Sequence, residues 1–531
     1  MRNPARVSVG LSMVLMTMAC ASITGVKTHH LVMFDKFGRA MDPTGICKNP
    51  RAPYPSPERE FKLCNTDFVT AQPARELLQD FDPYMKALFA DLETSAPGNT
   101  VIAGNPHVTR KVLIFIHGGL NTDKDTLARV RDKTDEITAA GYYPIFVGWK
   151  SSLISSWADS LLHVRYGRWY GKQGLWLAPF YLLSDALRSI GRAPIVWTGQ
   201  LANAKDNFTA VFKPWQVKEN QEYCALRSDY EGRGQHSLVI SKGQETYKIF
   251  PDGTISAAKF GATAGIKFVL SPFLDGIGSA AWSMMERRAH LLFYDDPDQS
   301  VDNAATALPE GNAGLAIFIR ALRERIIATQ CKPDAKPEDN CVNWEITLIA
   351  HSAGAIVAND ILSLFPDVEF SNIVYMAAAC SVSEYERAVW PYLSSHRTTR
   401  FYHLILHDVA ELKEAHLQEI PPRGSLLVWI DDLFSRPVVP RDRTAGRFNN
   451  LLDALKNTPE PIRDRVSVKV FGIGRKKECP GDMRCPQQHD KFTNQRFWLE
   501  ELWTPERPES DRVDGALCKQ VKTFLAKSKS E

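Results

Sequence analysis

Two short stretches of this 531-residue chain carry residue types that could do chemistry together. The first is Ile346 to Asp360, I-T-L-I-A-H-S-A-G-A-I-V-A-N-D. An apolar run ends in a tight Ser352-Ala353-Gly354 corner, and an alanine-rich helical segment follows at once. A serine on a sharp strand-to-helix turn has its hydroxyl lifted clear of the sheet and its backbone beside a helix N-terminus. Such a turn is crowded, so the positions two before and two after the serine must be small; here they are Ala350 and Gly354. The second stretch is His117-Gly118-Gly119-Leu120-Asn121, directly behind the apolar run Lys111 to Ile116. Adjacent glycines let backbone N–H groups approach a substrate oxygen with no Cβ in the way. Serine plus such a loop points to acyl transfer, which also needs a base for the hydroxyl proton and an acid to hold that base.

These residues have to be positioned by a sheet. Lys111 to Ile116 reads as a fully buried strand. A helix with Leu127, Val130 and Ile137 on one face follows, closed by Gly141, and then a second buried strand, Tyr143 to Trp149. Strand, helix, strand implies parallel pairing with a right-handed crossover. After Ser352, buried strands are expected at Ser371 to Ala379, Arg400 to Asp408 and Val466 to Ile473, with a helix over Phe492 to Trp503. Upstream, residues 21–100 read as an N-terminal arm with a strand at His30 to Phe34 and an amphipathic helix near Leu77 to Leu92. The tail after 510 ends in a frayed Lys527 to Glu531.

Bulk composition is that of an ordinary globular protein, with room for one large core and an insertion. A net charge of +3 without a basic block argues against a nucleic-acid partner. At the N-terminus, Arg2 and Arg6 precede the apolar run Val7 to Met18, which ends at Ala19-Cys20. A basic start, a run of that length and a small residue before the cut form an export signal. Cysteine usage agrees with export: Cys47 with Cys64, Cys331 with Cys341 and Cys479 with Cys485 bracket polar or proline-rich loops as disulfide candidates. Cys224 and Cys518 are a further candidate pair, and Cys380 is expected to be a buried free thiol. No cysteine or histidine cluster has metal-ligand spacing.

Strand-H-G-G-helix-strand followed by strand-A-H-S-A-G-helix resembles the α/β-hydrolases. The resemblance covers about 110–150 and 313–505, and implies a mostly parallel central sheet flanked by helices, with core segments 101–150 and 306–510. In that family the loop after the first of these strands supplies one oxyanion N–H and the residue after the nucleophile the other. Carried over, these are Gly119 or Leu120, and Ala353. The chain order Ser, Asp or Glu, His implies Ser352 as nucleophile and His489, in the loop after the last strand, as base. The acid falls after the strand before last, at Asp408, with Glu411, Asp431 and Asp432 as alternatives. The interval 151–305 exceeds what the core needs and reads as a cap, with a β-meander around Ser237 to Ile255. The implied reaction is cleavage of a small-molecule or lipid ester with no metal or organic cofactor; thioesterases and acyltransferases share the machinery, and a non-catalytic envelope protein could keep the fold for binding. The Ala19-Cys20 junction resembles a bacterial lipoprotein signal, which implies lipidation of Cys20 and anchoring at the outer membrane facing the periplasm, with secretion as the alternative. Oligomeric state is not legible.

Overall fold

The computed structural model describes residues 25–41, 74–94, 107–162, 173–212, 254–294, 311–336, 339–414, 422–471 and 488–504, with short strand pieces at 22–23, 61–62, 100–101, 164–165, 168–169 and 238–240 and single residues at 486, 523 and 526. Cys20, Cys47, Cys64, Cys224, Cys479, Cys485 and Cys518 lie outside them. The fold is α/β. Its centre is a ten-stranded sheet built from β1 (Leu31–Phe34), β2 (Ala40–Met41), β3 (Val108–Ile116), β4 (Tyr143–Gly148), β5 (Leu238–Ile240), β6 (Val342–His351), β7 (Asn372–Met376), β8 (Arg400–Leu406) and β9 (Val466–Phe471). The spatial order is β5-β9-β8-β7-β6-β3-β4-β1-β2, and the tenth strand, Thr100–Val101, pairs antiparallel beside β3. From β5 to β1 every neighbouring pair is parallel; β2 closes the edge antiparallel.

The central strands are runs of Val, Ile, Leu and Phe because helices cover both faces of the sheet. Leu113, Ile114, Leu348, Ile349, Val374, Ile405 and Val470 have no exposed surface, and each such side chain contributes roughly 1.5–3 kcal/mol on burial. Local signals fix the helices between them. In α2 (Asp123–Ala139), Thr122 and Asp125 form a reciprocal capping box, and Gly141 follows the end at φ +91°. Around the sheet also run α1 (Ala74–Thr94), α6 (Gly314–Thr329), α7 (Gly354–Leu364) and α8 (Val382–Ser395). The residues read as an arm belong to the sheet: β1 pairs with β4, and the Tyr84 hydroxyl of α1 donates to the Leu31 and Thr28 carbonyls.

Register places the site. Ala350 of β6 is aligned with Ile116 of β3, and His351 with Met376 of β7. Ser352, Gly118 and Ala377 therefore leave the sheet together at the carboxyl ends of three adjacent parallel strands, where open α/β sheets bind their ligands.

Between β4 and β6 the described residues include three helices, α3 (Leu153–Leu162), α4 (Gln173–Phe212) and α5 (Thr254–Leu291). Most of the β-meander expected around Ser237 to Ile255 falls outside the described residues. Leu238–Ile240 joins the central sheet beside β9, and Thr254 and Ile255 open α5; residues 241–253 lie outside the described set. The C-terminal helix expected over Phe492 to Trp503 is also broken. A 3-10 turn at His489–Asn494 precedes a single helical turn at Glu500–Trp503. Phe492, Phe497, Trp498, Leu502 and Trp503 are all buried, and that spacing fits no single helix face.

Candidate functional site

Ser352 occupies the corner between β6 and α7 with φ +52°, left-handed backbone that costs an L-residue about 1 kcal/mol or more. Three backbone bonds hold it there. Its N–H donates to the Met376 carbonyl at 2.9 Å, and its carbonyl accepts from Ala355 and Ala379 N–H at 3.0 Å each. Gly354 is required by approach: a Cβ there would sit 2.6 Å from the Ile116 carbonyl oxygen and 2.9 Å from that of His117.

His489 Nε2 lies 2.9 Å from Ser352 Oγ, across 137 residues of chain. Both side chains are buried, at 1% and 4% exposure for the two residues. The main chain of His489 is gripped on both sides. Its N–H donates to Glu414 Oε2 at 3.0 Å, and its carbonyl is 3.1 Å from His351 Nε2. Burial drives the His351 imidazole down to about 4, so the ring is neutral and its Nε2–H is the donor. His351 and Glu414 thus position the main chain of His489, and sequence reading singled out neither. His351 could have been found from its place beside Ser352 at the end of β6. Glu414 gave no such signal.

The glycine loop packs on this pair. A Cβ at Gly118 would lie 2.7 Å from Ser352 Cβ, and one at Gly119 would lie 3.1 Å from Ala353 Cβ and 2.5 Å from the Met285 sulfur of α5. The Gly118 carbonyl accepts from Ser151 Oγ, Asn121 Nδ2 and His117 Nδ1, each at 2.9 Å. His117 is held neutral by burial, near 3, and its Nε2 accepts the Trp149 N–H at 3.2 Å, which leaves Nδ1 as the protonated nitrogen. In a trans peptide the next N–H points opposite the carbonyl. Three donors on Gly118 O therefore fix the direction of the Gly119 N–H. Ala353 is the N-cap of α7, where backbone N–H groups have no intrahelical acceptor. Leu120 is exposed at the outer side of the turn.

The four carboxylates expected as candidate acids have the following surroundings. Asp408 is buried at the start of α9 (Asp408–Lys413); its Oδ2 accepts from Asn449 N–H at 2.9 Å, and Oδ1 is 3.8 Å from Arg447 Nε. Asp431 is engaged by Thr444, Arg447 and Asn450, and Asp432, on the same turn, lies in the field of Arg447. Glu411 is fully buried, and burial, with Glu414 and Asp408 adding to it, pushes its carboxyl up to about 8.

Glu411 is therefore the neutral acid in the folded protein at pH 7 and an ionised carboxylate in the unfolded chain. A folded-state value raised above the unfolded one leaves stability intact below the ordinary carboxylate range and removes it as pH climbs toward 8. Thermal melts from pH 5 to pH 8 should show a falling Tm, and Glu411→Gln should flatten most of that slope, gaining on the order of 2 kcal/mol at pH 8. Glu286, raised by burial to about 7, accounts for a remaining part.

Cys331 and Cys341 form a disulfide, and Cys380 is a buried free thiol. His107 stands with the two disulfide sulfurs in a group whose ligand atoms lie within 4.8 Å, but both sulfurs are spent in their bond. Among the described residues no helix is long and apolar enough to cross a membrane. A cavity of about 330 Å³ between α3, α4 and α5 is lined by Asp185, Arg188, Met284 and Arg436 among others, and includes neither Ser352 nor His489. No family model matches the chain, and neither a curated protein nor a solved structure matches it at a significant level.

Proposed function

We infer that this chain is a serine hydrolase acting on ester bonds, of the carboxylesterase or lipase type, with an α/β-hydrolase core. The observation that carries this reading is the 2.9 Å contact between Ser352 Oγ and His489 Nε2 at the carboxyl end of a parallel sheet. The left-handed serine, the small residues around it and the glycine loop on its flank support the same reading. In the proposed reaction His489 takes the hydroxyl proton as Ser352 attacks the ester carbonyl. The Ala353 and Gly119 N–H groups take the charge that develops on oxygen, the alcohol leaves with the proton from His489, and water then hydrolyses the acyl-enzyme. Glu414 is the carboxylate we assign to orient His489, with Asp408 the alternative. The helices of 151–305 act as a cap, since Met285 of α5 closes over Gly119. Export with lipidation at Cys20 places the protein in the cell envelope in this reading.

A fluorophosphonate probe should label the wild-type protein and leave Ser352→Ala unlabelled, and short- and long-chain p-nitrophenyl esters should show which acyl length is turned over. Labelling that persists in the alanine variant would remove Ser352 from the mechanism.

A further inference from the structure

The helices α4 and α5 lie side by side with their polarity inverted. Among the described residues several charged groups point inward: Asp275 is 1% exposed and pairs with Arg192 at 3.0 Å and Arg436 at 2.9 Å, and Lys267 is buried. Ser189 and Ser271 are buried too, and the Trp197 indole stacks on Phe268 and donates to its carbonyl at 2.9 Å. The outward faces are apolar. On α4, Trp176, Phe180, Leu183, Leu187, Ile190 and Leu201 are exposed, and the first five recur at four- and three-residue steps, one stripe opposite the buried side. On α5 the exposed stripe is Ile266, Val269, Phe273 and Ile277. These side chains are between 46% and 84% exposed. Among the exposed positions of 176–201 and 262–283, Arg188 is the sole charge. A helix pair facing water carries charge outside and apolar groups inside. This pair does the opposite along about 39 Å of α4, at about 1.5 Å per residue.

We propose that this two-helix face docks on a lipid bilayer surface, lying in the plane of the interface. A surface shaped for a protein partner offers directional hydrogen-bonding groups and a polar rim; from Trp176 to Leu201 the exposed polar side chains are Ser184, Arg188 and Thr198. Acyl chains ask for no directional partner, and a lone guanidinium on an apolar face suits the phosphate level of an anionic leaflet. Neither helix is apolar enough to cross a bilayer. The link between them is tied back, because β5, at Leu238–Ile240, is a strand of the central sheet. The docking is a contact separate from the lipid expected on Cys20, and it does not rest on the hydrolase reading.

The test is flotation of the full chain carrying Cys20→Ser, so that no lipid anchor is present, with vesicles of phosphatidylethanolamine and phosphatidylglycerol at about 3:1. The same chain with Leu183→Glu, Leu187→Glu and Phe273→Glu is the comparison. The triple variant should lose at least about tenfold in vesicle partitioning with Tm and elution volume unchanged, because all three side chains are exposed. Leu187→Lys alone should lose less, in the same direction. Equal partitioning of wild-type and triple variant would overturn the proposal. So would a wild-type dimer that the triple variant dissociates without change in vesicle binding, which would make the face a contact between two copies.

Discussion

Replacing Ser352 by alanine is expected to lower kcat on a p-nitrophenyl ester by about five orders of magnitude, and His489→Ala by a similar amount. The double variant should be no slower than either single one. Ser352 Oγ and His489 Nε2 share one proton path at 2.9 Å, so removing either end removes the whole transfer, and the second deletion has nothing left to take. A residual rate above water should survive, from the Gly119 and Ala353 N–H groups and from binding. The fold should survive as well. The bonds that hold residue 352 in its left-handed conformation, to Met376, Ala355 and Ala379, are all made by backbone atoms, and alanine keeps each of them. Stopped-flow and steady-state rates on the three variants, with circular dichroism to confirm the fold, check this directly. Additive losses would mean that the two side chains act in separate steps.

The parts of the site legible in the sequence are those where a few consecutive residues determine the geometry. The buried run Lys111 to Ile116, the two glycines behind it and the Ala350-x-Ser352-x-Gly354 corner each express a local constraint: burial on both faces, approach without a Cβ, a crowded turn. Parallel pairing of β3 with β6 then follows from topology, and register brings the corners together. Glu414 was not legible for the opposite reason. It lies at the C-terminal end of α9, where its backbone turns extended. Its carboxylate meets the His489 N–H across 75 residues of chain, a contact set by tertiary packing and not by any local pattern. Asp408, at the strand end where a chain-order argument looks first, accepts from the Asn449 N–H and lies 3.8 Å from Arg447 Nε. The β-meander expected around Ser237 to Ile255 runs into the start of α5, because Pro251-Asp252-Gly253 is turn chemistry while Thr254 begins a helix of 38 residues that contains Pro272. A turn tripeptide marks a change of direction without stating which element follows.

Glu414→Gln is expected to lower kcat by about two to four orders of magnitude with KM nearly unchanged, while Asp408→Asn should stay within about threefold of wild type in kcat and lose stability instead. The amide of glutamine can still accept the His489 N–H at the position of Oε2, so the main chain of the base stays where it is. What disappears is the negative charge at the main chain of the residue whose imidazole, in the proposed reaction, becomes cationic as Ser352 attacks, and such a charge acts on the transition state far more than on bound ester. The loss therefore falls on kcat. Glu414→Asp keeps the charge on a stem shorter by one methylene and should recover part of the rate, which a merely structural role for Glu414 would not require. Asp408 answers differently because the Asn449 N–H at 2.9 Å and the buried Arg447 guanidinium tie it to the neighbouring segment. Removing its charge weakens the packing of α9 against the segment 447–449 and should lower Tm by a few degrees at little cost to chemistry. A kcat collapse in Asp408→Asn with Glu414→Gln near wild type would exchange the two roles and make Asp408 the acid of the triad.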